Sequence, residues 1–160
     1  LAKRYGLNNY INLVFRKNFS AQVLKANMKI VGNCEYGLVL YRDRLPKFRY
    51  NGKMIFNCMD WPRDNESEKI HPTQKPIELL KTIIGIFTDI GDVVIDPVAG
   101  SGSTLVAAER LNRKGFGFEI KKDFFTKANA WLEEEKIMKK EIIELGFAKT
   151  KLNKIAPTLW

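Results

Sequence analysis

Val93-Val94-Ile95-Asp96-Pro97-Val98-Ala99-Gly100-Ser101-Gly102-Ser103-Thr104 sets a compact β-branched run directly before a glycine-rich turn. The run suits a strand buried on both faces. Beyond the turn, Thr104 to Leu111 reads as a helix with Leu105, Ala108 and Leu111 inward, ended by Asn112 and Lys114-Gly115. Gly115 to Ile120 reads as the next strand, and residues 122–145 as a long, charged amphipathic helix. Upstream, Ile77, Leu80, Ile84 and Phe87 recur at helical spacing. Thr73 is expected to cap that helix, with Pro76 early, Glu78 in its first turn and an end near Asp89. Helix, strand, glycine turn, helix, strand, helix is the alternation of a parallel α/β sheet.

The first part of the chain is less regular. Tyr10 to Phe15 and Glu35 to Tyr41 read as strands. Residues 19–33 read as a loop with at most a helical turn, and residues 47–70 as irregular. Loops that long are usually functional, and Phe56 to Ile70 is a candidate for target contacts. The expected divisions are 1–70, 71–148 and a basic tail, 149–160.

Composition narrows the class. With 160 residues and 45% apolar content the chain can form a globular core. No run approaches the ~18 apolar residues of a membrane span, and Leu1-Ala2-Lys3-Arg4 opens no signal peptide, so a cytoplasmic protein is expected. Leu1 reads as a cut or processed end. Cys34 and Cys58 lack metal-ligand spacing and read as reduced structural thiols. The net charge of +9 is uneven: residues 1–75 carry 14 Lys/Arg against 6 Asp/Glu, the rest 13 against 12. Basic side chains gathered in one half are what phosphate neutralisation requires, although a merely solubilising surface would look similar.

The turn carries the chemistry. Gly100 and Gly102 let the backbone approach a ligand, and the first free N–H groups of the following helix face it. An acid at the tip of the next strand can accept hydrogen bonds from both ribose hydroxyls. Glu119, 23 positions after Asp96, stands at that tip. The pair describes an adenosine-type site. Leu105 occupies the third glycine position of a dinucleotide fingerprint, and no Gly-Lys-Ser/Thr follows, which excludes a P-loop. Asp96 suits an amino-acid ammonium better than a pyrophosphate.

His71-Pro72-Thr73-Gln74-Lys75-Pro76, Asp96 to Ser103, and Gly117-Phe118-Glu119-Ile120 together resemble the β-class DNA amino-methyltransferases, which act on adenine N6 or cytosine N4. Tyr10 to Lys17 and Glu35 to Tyr41 extend the resemblance more weakly upstream. It implies a Rossmann-like α/β methyltransferase fold, a mostly parallel sheet with helices on both faces, incomplete in this chain. It implies S-adenosylmethionine as cofactor, bound by His71, Thr73, Lys75, Asp96, Pro97, Ala99, Gly100, Ser101, Gly102, Thr104 and Glu119. Asp96 would hold the methionine ammonium, Glu119 the ribose, and Lys75 the carboxylate. Val98 stands where many members have Phe, a loss worth about 1 kcal/mol of cofactor contact.

The family's Asp/Asn/Ser-Pro-Pro-Tyr/Phe motif, which holds an extruded base for methyl transfer, does not occur in the 160 residues. The catalytic group and two central strands are therefore expected in an N-terminal half, supplied by a second chain or a longer parent protein. Double-stranded DNA is the expected partner, with Arg16, Lys17, Lys25, Lys29, Arg42, Arg44, Lys47, Arg49 and Lys53 facing phosphates. Adenine N6 is the favoured target. A truncated, non-catalytic S-adenosylmethionine- or DNA-binding module is the alternative. The last helix is expected to cover the sheet, with a homodimer contact as its second reading.

Overall fold

The computed structural model describes residues 2–19, 22–25, 27, 29–65, 67 and 69–155. It divides into two compact units, Leu1–Lys69 with Lys75–Ile90, and Ile70–Gln74 with Gly91–Trp160. The helix following Lys75 thus falls in the first unit, where the sequence suggested the second.

In the first unit, a 3-10 turn (Ala2–Tyr5) precedes β1 (Asn9–Lys17), β2 (Gln22–Lys25), β3 (Ile30–Gly32), β4 (Cys34–Tyr41), β5 (Cys58–Trp61) and α1 (Ile77–Phe87). The main sheet has the order β4-β1-β5. β1 runs antiparallel to β4, pairing Asn9 with Tyr41 through Arg16 with Cys34, and parallel to β5. The period of two sorts its side chains. Leu13 and Phe15 are buried with Trp61 and Leu79, and Val39, Met59 and Ile83 pack against them. Gly37 is small for a reason: a Cβ there would lie 2.9 Å from the Phe15 ring.

Four expectations are corrected here. The loop read over residues 19–33 contains the antiparallel pair β2–β3. Its alternation is too short to stand out among polar residues. The irregular stretch 47–70 contains β5, four residues long and recognisable only by its partner β1. Thr73 does not cap α1. Pro76 is the N-cap residue, without a side-chain cap, and Thr73 turns to His71 instead. The buried residues of α1 are Ile77, Leu79, Ile84 and Ile86, so its apolar stripe lies one position to the side of the one read at Leu80 and Phe87.

The second unit contains β6 (Val93–Asp96), α2 (Ser103–Arg110), β7 (Lys114–Gly117) and α3 (Lys122–Ile155). β6 and β7 are parallel, Asp96 facing Gly117, joined through α2. Val106, Ala107 and Ala108 are fully enclosed on α2, whereas Leu105 and Leu111 are half-buried. Arg110 holds the buried Glu135, and Lys139 reaches Glu109 at 2.6 Å, fastening α3 to α2. α3 runs ten residues past its expected end, into the stretch read as a tail.

β6 is not buried on both faces. Val93, Ile95, Phe116 and Phe118 are all exposed, Ile95 at 62%. With β7 as its only neighbour in this sheet, one face of the pair has no covering layer among the described residues. Tyr36, Leu38 and Leu40 leave β4 similarly bare on one side.

Candidate functional site

The turn between β6 and α2 is built by backbone hydrogen bonds and one side-chain acceptor. The Asp96 carbonyl accepts the Phe118 N–H at 3.0 Å, and the Phe118 carbonyl accepts the Ala99 N–H at 2.9 Å, so the two strand ends stay paired past the ladder. The Asp96 Oδ1 accepts the Val98 N–H at 3.0 Å, an Asx turn that starts the reversal. Gly100 and Gly102 have φ of +54° and +80°, in the left-handed region that disfavours any Cβ.

Glu119 answers the turn. The Gly100 N–H donates to its Oε2 at 2.9 Å, and the Lys121 N–H to its Oε1 at 2.8 Å. The Lys121 N–H is the main cause holding this carboxyl below its ordinary range. Partial burial opposes it, and the Gly100 and Ile120 N–H groups and His71 add to the lowering. Glu119 is therefore an ionised acceptor held against the turn, with lone pairs left for hydroxyl donors.

His71 completes this side. Its ring meets Phe124 at 4.4 Å between centroids and lies beside Gly100. Its Nδ1 accepts the Thr73 N–H at 3.2 Å and lies 3.1 Å from the Thr73 hydroxyl. Gln74 Oε1 accepts the Ile70 N–H at 3.0 Å, closing the loop on itself. Neither Gln74 nor Phe124 was singled out in the sequence. The paired aromatics Phe124-Phe125 opening α3 were the available signal.

The predicted cofactor residues do not share one role. Asp96, Ala99, Gly100, Glu119, His71 and Thr73 lie together around the turn, and Pro97 is exposed at its tip. Ser101 and Ser103 are buried, their hydroxyls 3.3 Å apart, so Ser101 turns inward. Thr104 is a half-buried residue of α2. Gly102 answers to packing: a Cβ there would lie 2.9 Å from the Ala128 Cβ on α3.

Lys75 belongs to the first unit, in a cluster no spacing announced. Glu35 on β4 receives both Lys75 Nζ, at 2.8 Å, and Lys17 Nζ. The two ammoniums lie 4.8 Å (Lys17) and 4.9 Å (Lys75) from the Trp61 ring centroid. Burial pushes the Glu35 carboxyl up, and the hydrogen bonds and charges of Lys17 and Lys75 outweigh it, leaving it below its ordinary value. Lys17 is only 11% exposed, turned to Glu35 rather than outward.

Of the other predicted DNA-facing cations, Arg16, Lys29, Arg42, Arg44 and Lys53 are exposed, as are Lys47 and Arg49, which both pair with Asp89. The Lys25 side chain lies outside the described residues. No group of His, Cys, Asp and Glu could hold a metal ion, and no helix is long and apolar enough to cross a membrane, among the described residues.

A parallel β-α-β unit, a glycine turn at its carboxyl edge and a carboxylate pinned to that turn are the arrangement of a Rossmann-like fold. The chain belongs to the DNA methylase family, whose profile matches residues 8–130. It is 32% identical over 118 residues to the putative methylase YubD of Escherichia coli, covering 74% of this chain and 48% of that protein. It is 39% identical over 90 residues to the DNA adenine methyltransferase YhdJ of Escherichia coli, covering 54% of this chain and 31% of that protein. Among solved structures, the M1.HpyAVI–SAM complex superposes with a TM-score of 0.66 at 24% identity, over 81% of this chain and 64% of that one. The chain thus spans half or less of these two curated relatives.

Proposed function

We propose that this chain is the S-adenosylmethionine-binding part of a DNA methyltransferase that transfers a methyl group to an exocyclic amine, adenine N6 in the first place. The observation that carries the reading is the Gly100 N–H donated to Glu119 at 2.9 Å, which sets a carboxylate at the mouth of the turn. S-adenosylmethionine supplies an electrophilic methyl group. Glu119 takes the ribose hydroxyls, Asp96 the methionine ammonium, and His71 and Thr73 shape the wall beside Gly100. Lys75, by the same resemblance, takes the carboxylate. Pro97, Ala99, Ser101, Gly102 and Thr104 form the turn that brings these groups to the ligand.

The bare apolar faces at Val93, Ile95, Phe116 and Phe118, and at Tyr36, Leu38 and Leu40, support a partner layer. Parallel sheets are normally covered on both faces. An N-terminal half, from a second chain or the same parent, would supply that layer and the Pro-Pro-Tyr/Phe motif. Double-stranded DNA is the substrate, with Arg42, Arg44 and Lys29 as exposed cations for its phosphates, in the cytoplasm of a bacterium or of a phage-infected cell. A homodimer contact through α3 is a further option of the same assembly.

Calorimetric titration with S-adenosylhomocysteine tests the site. Glu119→Gln is expected to weaken binding about tenfold or more, the loss of charge-assisted hydrogen bonds to two hydroxyls. Unchanged affinity in that variant would remove the adenosine assignment. Tritiated methyl transfer to DNA by the chain alone would overturn the view that the catalytic motif comes from elsewhere.

A further inference from the structure

The carboxyl ends of the parallel strands β1 and β5 border a hollow of about 440 Å³, lined by Arg16, Lys17, Asn18, Asp60, Trp61 and Pro62. The volume is in the ~300–1,000 Å³ range of small-ligand sites. Its place, beyond the carboxyl ends of neighbouring parallel strands, is where open α/β sheets hold ligands.

The charges on its wall are not those of a phosphate cradle. The Lys17 ammonium is committed to Glu35 and Trp61. Arg16 Nε and Nη2 both donate to Asp60 Oδ1, at 3.1 and 2.7 Å, so the pair is neutral. The Asp60 side chain is 75% exposed and its carboxylate would repel a phosphodiester. Arg16 leaves Oδ2 for another donor. The Asn18 amide both donates and accepts, and Trp61 and Pro62 supply apolar surface. Acceptor, amide and apolar wall together match the edge and face of a nucleobase.

We infer that this hollow reads one base of the DNA and that Asp60, held by Arg16, is the specificity-determining residue. Its carboxylate accepts a hydrogen from an exocyclic amine. Adenine and cytosine present one on their major-groove edge, where guanine and thymine present carbonyl oxygens. The inference rests on the DNA-methylase reading above and adds the residue that sets base choice.

The 160-residue chain is used to select bound duplexes from a pool with randomised central positions, which are then sequenced. Affinity for one fixed duplex is measured against salt in parallel. The wild-type chain is expected to enrich adenine or cytosine at one position about tenfold over guanine and thymine. Asp60→Ala, at an exposed site, removes the acceptor, loses that one preference and keeps the others. Its salt slope steepens by no more than about one phosphate contact, because Arg16 is released from the pair. Asn18→Ala weakens the same position. If the wild-type chain binds with a salt-dependent affinity but enriches no base, the inference is overturned while the DNA reading stands. The same holds if Asp60→Ala leaves the preference intact or relaxes all positions together. Without salt-dependent binding by the wild-type chain, the DNA reading fails and this inference fails with it.

Discussion

Gly100 and Gly102 look equivalent in the sequence, yet the structure asks different things of them. Both have positive φ, but a Cβ on Gly100 would meet the His71 ring at 3.8 Å, an ordinary contact. A Cβ on Gly102 would meet Ala128 at 2.9 Å, a distance that forces α3 to move. Gly100→Ala therefore carries the backbone cost alone, about 1 kcal/mol. Gly102→Ala adds an overlap and is expected to cost about 2–4 kcal/mol. Urea unfolding of the two variants measures the difference directly. Equal losses would mean that α3 does not rest on this turn. The glycine pattern thus marks the turn correctly, while its second glycine serves helix packing, a contact 26 positions away that no local signal encodes.

Glu35 and its two lysines belong to the scale of elements, because the cluster joins β1, β4 and the segment leading into α1. The buried Leu13, Phe15 and Trp61 place the Lys17 stem in apolar surroundings, and the carboxylate offsets the charge that burial penalises. Replacing Glu35 by Gln leaves two ammoniums over one indole and is expected to cost about 1–2 kcal/mol near neutral pH. The folded-state pKa of Glu35 is depressed, so its contribution is present above the unfolded value and is lost as pH falls through the folded one. Urea unfolding of wild type and Glu35→Gln should differ most at neutral pH and converge below the usual glutamate range. A gap that widens on acidification would mean the pair is not what stabilises this region. β1 and β4 were legible as strands from their alternation. Their antiparallel pairing and the insertion of β5 beside β1 were not, because partner and register follow from which side chains fit together, as Gly37, paired with Leu13 and lying beneath the Phe15 ring, shows.

For the whole molecule the main fact is apolar sheet surface without a covering layer. Ile95 at 62% and Phe116 at 57% exposure lie on strands that would be enclosed in a complete α/β sheet. Such patches drive association. Ile95→Thr is expected to change stability by less than about 0.5 kcal/mol, since little burial is lost. It should still lower self-association of the isolated chain in sedimentation velocity. A large loss of stability would show that the face is covered within the chain itself.

The alternation of helix, strand and glycine turn, and the 23-position interval from Asp96 to Glu119, were enough to name a parallel α/β unit with a carboxylate at its glycine turn. Those features are local, and backbone sterics and the period of two or 3.6 write them into short windows of residues. Which side chains lie at the turn and which are taken up by the scaffold was visible only in three dimensions. Lys17 turned to Glu35 and Gly102 yielded to Ala128 because each has a neighbour far along the chain. Burial and pairing between distant residues depend on the packed whole, and no window of sequence contains them.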